Sequence, residues 1–178
     1  MTSSTAAQLR RDFDRAFAEP PRVRRAASVD LLAIRLRRDP YALRLAGIAG
    51  LFADKPLTRL PGSAPEFLGL AGFRGSVVPV YDLRALLGDA RGDAPRWLVV
   101  SSGSSVALAF DGFDGYLKLP PERIARPAPG EPARAHVHEL ARSADGALRP
   151  LVDLGSVLAA LRQRVRQDLS PPSTGVTP

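Results

Sequence analysis

The stretch GLAGFRGSVVPVYDLRALL, residues 69–87, decides the fold. It packs a strand, a glycine turn, a second strand and a short helix into nineteen residues. Leu68 and Leu70 begin a half-buried run, Arg74-Gly75 supplies a tight turn, and Val77, Val78 and Val80 form a β-branched run. Asp82 follows where its carboxylate can cap a helix over 83–87. Pro79 removes one backbone donor from the second strand, which predicts a sheet edge, a barrel corner or a bulge.

Working outward, the same pattern recurs near the C-terminus. GSVVPVYDLRALL, from Gly75, aligns without gaps on GALRPLVDLGSVL, from Gly146. Gly75 meets Gly146, Pro79 meets Pro150, Asp82 meets Asp153 and Leu83 meets Leu154. A fainter pair sets ALRLAGIAGLF, from Ala42, on ALAFDGFDGYL, from Ala107, so that Gly47 meets Gly112 and Gly50 meets Gly115. The two pairs fall in one order at similar spacing. That predicts a mainly β chain of two related subdomains, each a small barrel of short antiparallel strands. Gly75, Asp82, Gly146 and Asp153 take structural roles in it, as turns and helix caps.

Alternation at Leu32, Ile34 and Leu36 predicts a strand with one face buried, turned by Asp39-Pro40. Ile48, Leu51 and Phe52 have helical spacing in a segment too short for its own helix, and a further strand is expected around 57–60. Hairpins are expected for 97–110, across Ser101-Ser102-Gly103-Ser104, and for 136–152, with a strand over 113–119 between them and a last helix from Leu154 to about Arg166. Residues 1–28 form a leader in which Leu9, Phe13 and Phe17 recur every four residues, a short amphipathic helix that lies on its own domain or docks on a partner. Residues 29–168 form the domain, and 169–178, rich in Ser and Pro, a disordered tail.

Composition excludes several function classes. With 45% hydrophobic and 24% charged residues the chain is globular, and no apolar run approaches a membrane span. It has no cysteine, hence no disulfide, thiolate metal site or cysteine nucleophile, and no secretory leader pattern; the cytoplasm is the expected address. The net charge of +7 raises nucleic-acid binding as a rival, but the charge is nearly all Arg, spread along the chain with little aromatic interleaving. His136 and His138 are the only histidines, and a spacing of two on one strand would put both rings on one face without completing a metal site. Ser101, Ser102, Ser104 and Ser105 around Gly103 resemble a phosphate-cradling loop, yet no Gly-Lys-Ser and no helix follow, so the stretch reads as a hairpin turn. No general base presents itself. Neither enzyme activity nor a cofactor is expected.

FLGLAGFRGSVVPVYDLRALLG, from Phe67, resembles the CheW-like domain, whose members usually read GLxNLRGxVxPVxDLxxxLG. The resemblance extends from about Asp30 to about Gln167. It includes AFDGFDGYLKLPPERIARPAP, from Ala109, where the family has a strand followed by a Pro-rich connection. It implies two SH3-like five-stranded β-barrel subdomains, short helices and a C-terminal helix. It also implies a cytoplasmic adaptor that joins the hairpin tip of a chemoreceptor to the regulatory domain of a CheA-type histidine kinase, with no membrane insertion. Carried over by position, Arg74 falls at the receptor-facing groove, with Phe73 beside it and Ile48 and Leu51 on the same side. Phe113 and Tyr116 stand at the comparable place in the second barrel, as partner contacts or as barrel core. The chain departs from the pattern at Gly72, Gly50 and Gly115, where Asn and two acidic residues are usual. Those departures motivate a rival within the family: a module for pili, gliding, biofilm or second-messenger control.

Overall fold

The first strand, β1 (Val29–Leu36), is buried from Leu31 to Ile34 without a break, not on one face alone. A run of four buried apolar residues requires a core on either side of the strand, and the rest of the fold supplies both. The computed structural model describes residues 27–61, 64–90, 95–128, 134–144 and 146–168. The leader helix expected over 6–18 and the tail 169–178 lie outside the described residues.

After β1 come β2 (Asp39–Arg44), a 3-10 turn (Leu45–Gly47), β3 (Ile48–Ala53), β4 (Phe67–Phe73), β5 (Ser76–Asp82) and α1 (Leu83–Leu86). The second half follows with β6 (Trp97–Ser101), β7 (Ala107–Phe110), β8 (Gly112–Leu119), a 3-10 turn (Pro121–Arg123), β9 (Ile124–Ala125), β10 (Val137–Arg142), β11 (Leu148–Val152) and α2 (Leu154–Asp168). These strands form two sheets, ordered β8-β1-β2-β11-β10-β9 and β3-β6-β7-β5-β4. Each sheet has strands from both halves of the chain. The expected five-and-five division is six and five, because β9 adds a two-residue strand; its counterpart near Thr58 is reduced to a single bridge to Leu70.

The repeat holds strand for strand. β1, β2, β3, β4, β5 and α1 correspond to β6, β7, β8, β10, β11 and α2, and the parallel pairs β5–β7 and β11–β2 occupy equivalent places. Even the irregularities coincide. The β3–β6 ladder skips Ala49 and the β8–β1 ladder skips Asp114, the matching residues of the gapless alignment. Both prolines are explained by the same register. Neither β5 nor β11 is an edge strand, but each parallel ladder starts one residue after the proline, at Val80 and at Leu151, so no donor is demanded there.

Three apolar cores result. Leu68, Phe73, Val80, Leu98 and Ala109 fill the β3–β7 subdomain, and Leu31, Ala42, Leu119, Ala141 and Leu151 fill the other. The largest cluster lies between them, with Leu32, Ile34, Leu43, Leu108, Phe110 and Val157 drawn from both sheets and from α2. The β3–β7 sheet is strongly rolled. Its outermost strands would stand roughly 19 Å apart if flat, yet the Phe52 ring on β3 lies 4.8 Å from the Phe73 ring on β4.

Two elements differ locally from the expected ones. The first turn is Arg37-Arg38, not Asp39-Pro40: Arg37 takes φ 57° and its N–H donates to the Asp111 carboxylate at 2.6 Å, so a residue of the second half fixes it. The helically spaced segment after the first 3-10 turn is strand β3. The caps are as expected. Asp82 accepts from the N–H groups of Arg84 and Ala85, and Asp153 from those of Gly155 and Ser156. Arg164 on α2 pairs with Glu66 at 2.7 Å and ties the last helix to the opposite subdomain.

His136 does not share a strand face with His138. It precedes β10 in a left-handed turn at φ 60°, and its Nδ1 lies 2.7 Å from Ser156 Oγ on α2. Partial burial, then Arg164 and His138, lower its pKa below 6.5, while Asp153 acts in the opposite sense. Folding therefore favours the neutral ring. Stability from this group is full above about pH 6.5 and is lost as pH falls toward the folded-state value. His136→Gln is expected to flatten the pH–stability curve below about pH 6.5, measured by urea unfolding; an unchanged curve would count against the assignment.

Candidate partner-binding site

The residues singled out in the sequence fall on two surfaces. The first is the β4–β5 turn. Arg74 and Gly75 both have positive φ, 46° and 84°, as a two-residue type I′ hairpin requires, and Arg74 is exposed at its tip. Its neighbour Phe73 is 6% exposed and belongs to the subdomain core. Beside the turn opens a pocket of about 230 Å³ whose wall includes Gly50 and Phe52 of β3, Phe73, Arg74 and Ser76, and Ser104 and Ser105 of the β6–β7 turn. The strand order places both turns at one end of the sheet. Lys55 Nζ stands 5.5 and 5.6 Å from the Phe52 and Phe73 ring centroids, a cation–π position on both.

The second surface is the seam between the subdomains. Ile48 and Leu51 do not line the Arg74 pocket. They share the other face of β3 with Val99 of β6 and pack, half-buried, on the core between the sheets. Phe113 and Tyr116 are their repeat partners and take the equivalent position on β8. Phe113 is half-buried against the same core, its ring 5.2 Å from Trp97 and 5.4 Å from Tyr116, whereas Tyr116 is 64% exposed. The two residues therefore differ: Phe113 packs against the core, and Tyr116 is a surface side chain. Trp97 completes the aromatic row and was not singled out in the sequence; its one signal there is being the lone Trp of the chain.

Charge is arranged around these surfaces in short networks. Asp114 pairs with Arg35 at 2.7 Å and with Arg149 at 3.1 Å, joining β1, β8 and β11 at the bulge. Arg84, with a side chain 6% exposed, donates to the Ala90 carbonyl at 2.7 Å and lies 3.7 Å from Asp111. Arg74 has no ion-pair or hydrogen-bond partner among the described residues. No group of three His, Asp or Glu side chains among them stands close enough to hold a metal ion.

Residues 30–162, which span both sheets and both Asp helix caps, match a family model, the CheW-like domain. The chain belongs to the CheW-like domain family. Domains of this family serve as scaffolds and adaptors in chemotaxis-type signalling. A solved structure with the CheW-like fold, the scaffolding protein TtCheW from Thermoanaerobacter tengcongensis, superposes with a TM-score of 0.63 at 21% identity, over 72% of this chain and 90% of that one. No curated protein matches the chain. Among the described residues of this CheW-like domain, no helix is long and apolar enough to cross a membrane.

Proposed function

We propose that this CheW-like domain is a cytoplasmic adaptor that couples a chemoreceptor to a CheA-type histidine kinase. The observation that carries the reading is the family match over both subdomains, together with a free cation at the β4–β5 turn and an apolar seam that stays partly open. The kinase regulatory domain docks on one subdomain through a barrel-to-barrel contact, for which about 1,600 Å² of total buried surface suffices. The receptor hairpin tip lies near Arg74, whose planar guanidinium suits acidic or amide groups, and the separate seam surface at Ile48, Leu51 and Tyr116 serves a second apolar contact. The +7 charge speeds encounter with an acidic partner and makes association weaken with salt.

Calorimetric titration with the regulatory domain of each CheA-type kinase of the same organism, at two salt concentrations, tests this. Saturable binding to one kinase, weaker at high salt, is expected; a folded protein that binds none of them would refute the coupling role. A narrower prediction concerns the turn. Asn is more at ease than Arg in a left-handed turn position, so Arg74→Asn is expected to keep or slightly raise the urea midpoint. It should nevertheless weaken receptor control of the kinase about tenfold or more, the loss expected for a hydrogen-bonded charge. Full control by this variant in a reconstituted array would remove Arg74 from the receptor contact.

A further inference from the structure

The serine turn between β6 and β7 is not an isolated hairpin turn. Its Ser104 and Ser105 face the pocket that Arg74 and Ser76 reach from the β4–β5 turn. We propose that this pocket binds a phosphate monoester carried on a small apolar or aromatic body. The proposal goes beyond the adaptor reading, because it assigns the chain a ligand of its own.

The side-chain donors that line this pocket, Ser104 apart, have no acceptors of their own among the described residues. The Arg74 guanidinium and the Ser76 and Ser105 hydroxyls have no hydrogen-bond partner among the described residues, and no carboxylate lines the pocket. Ser104 Oγ is occupied by Ser101 Oγ, which holds the serine turn in shape. A guanidinium fork meets two oxygens of an anion side by side. Hydroxyls on a second turn add donors for a third oxygen, which a carboxylate lacks and a phosphate monoester has. Lys55, outside the pocket lining, stands over the Phe52 and Phe73 rings and adds positive charge near the cavity.

The rest of the cavity is built for an apolar body. Phe52, Phe73, Val78 and Val100 form its walls, and its 230 Å³ equals the share of liquid volume of about eight waters. Gly50 keeps one wall open: a Cβ there would come within 2.8 Å of the Phe52 ring. An acidic side chain at that position would also bring a carboxylate to a pocket that now has positive charge alone. A ligand held on Arg74 would engage the cation assigned above to the receptor, so ligand and receptor would compete.

The test is an amide-shift NMR titration of the full chain with phenyl phosphate at about pH 7.5, where the monoester is dianionic. Benzoate at matched ionic strength is the control. Saturable shifts are expected at Gly50, at Arg74 to Ser76 and at Ser102 to Ser105, with phenyl phosphate binding about tenfold or more tightly than benzoate. Arg74→Gln is expected to weaken it by a similar factor and Ser105→Ala several-fold, with the spectra of both variants reporting an intact fold. A peptide bearing phosphotyrosine separates the two sources of the group. Tighter binding than phenyl phosphate assigns the pocket to a phosphorylated side chain, and equal or weaker binding to a free phosphate ester. The proposal is overturned by absence of saturation at about 10 mM, by equal affinity for benzoate, or by shifts that Arg74→Gln leaves unchanged. The titration contains no kinase and no receptor, so its failure and that of the adaptor reading are separate results.

Discussion

Phe110→Ala is expected to destabilise the protein by about 3–5 kcal/mol, the cost of emptying an aromatic site in a close-packed core. Phe110 is 1% exposed and lies in the cluster between the two sheets, not in either subdomain's own core. The loss should therefore be felt by both subdomains at once. Urea unfolding followed by far-UV circular dichroism reports on all the strands, while fluorescence of the lone Trp97, in ring contact with Phe113 across the seam, reports on the junction. The two curves should shift together to lower urea with a single midpoint. A variant in which Trp97 is released first while the strands persist would show that the subdomains are stable apart.

Gly69→Ala carries the second large effect. Gly69 sits at φ 137°, where side chains are strained, and a Cβ there would lie 2.4 Å from the Thr58 carbonyl oxygen. That carbonyl accepts from Leu70 N–H at 2.9 Å, and Thr58 N–H donates back to Leu70 at 2.8 Å, so the added methyl pushes apart the one bridge that covers the outer edge of β4. Backbone strain costs about 1–3 kcal/mol and the steric displacement about as much again. Gly115 is the control. It has nearly the same φ, 140°, with nothing within 4 Å of an added Cβ, so Gly115→Ala carries the strain alone. Equal losses from the two substitutions, measured by urea unfolding, would mean that the Thr58 segment yields without cost.

What the sequence disclosed was whatever has a local chemical cause. A Gly turn, a proline just before a ladder and an Asp ahead of a helix each act within a few residues, so the repeat of 75–87 on 146–158 was visible by inspection. The β3 segment was obscured for an equally physical reason. Its bulge at Ala49 inserts one residue, which brings Ile48 and Leu51 to the same face three positions apart, the spacing of a helix. The turn at Arg37 was misplaced by two residues because the group that fixes it, Asp111, lies 74 positions away. The same limit hid the pocket. Arg74 and Ser105 belong to different hairpins, and only the strand order, with β7 beside β5, brings their turns to one end of the sheet.

The division of strands between the sheets bears on ancestry. The first half of the chain places β1 and β2 in one sheet and β3 to β5 in the other; the second half does the reverse with β6 and β7 against β8 to β11. A polypeptide of either half alone would leave both of its sheets incomplete, and two copies would complete each other by exchange. The present molecule has the form of such a swapped dimer made permanent by gene duplication and fusion. The two halves differ most in their terminal helices, four residues in α1 against fifteen in α2. A gene cut between α1 and β6 should accordingly yield two fragments that fold only in each other's presence.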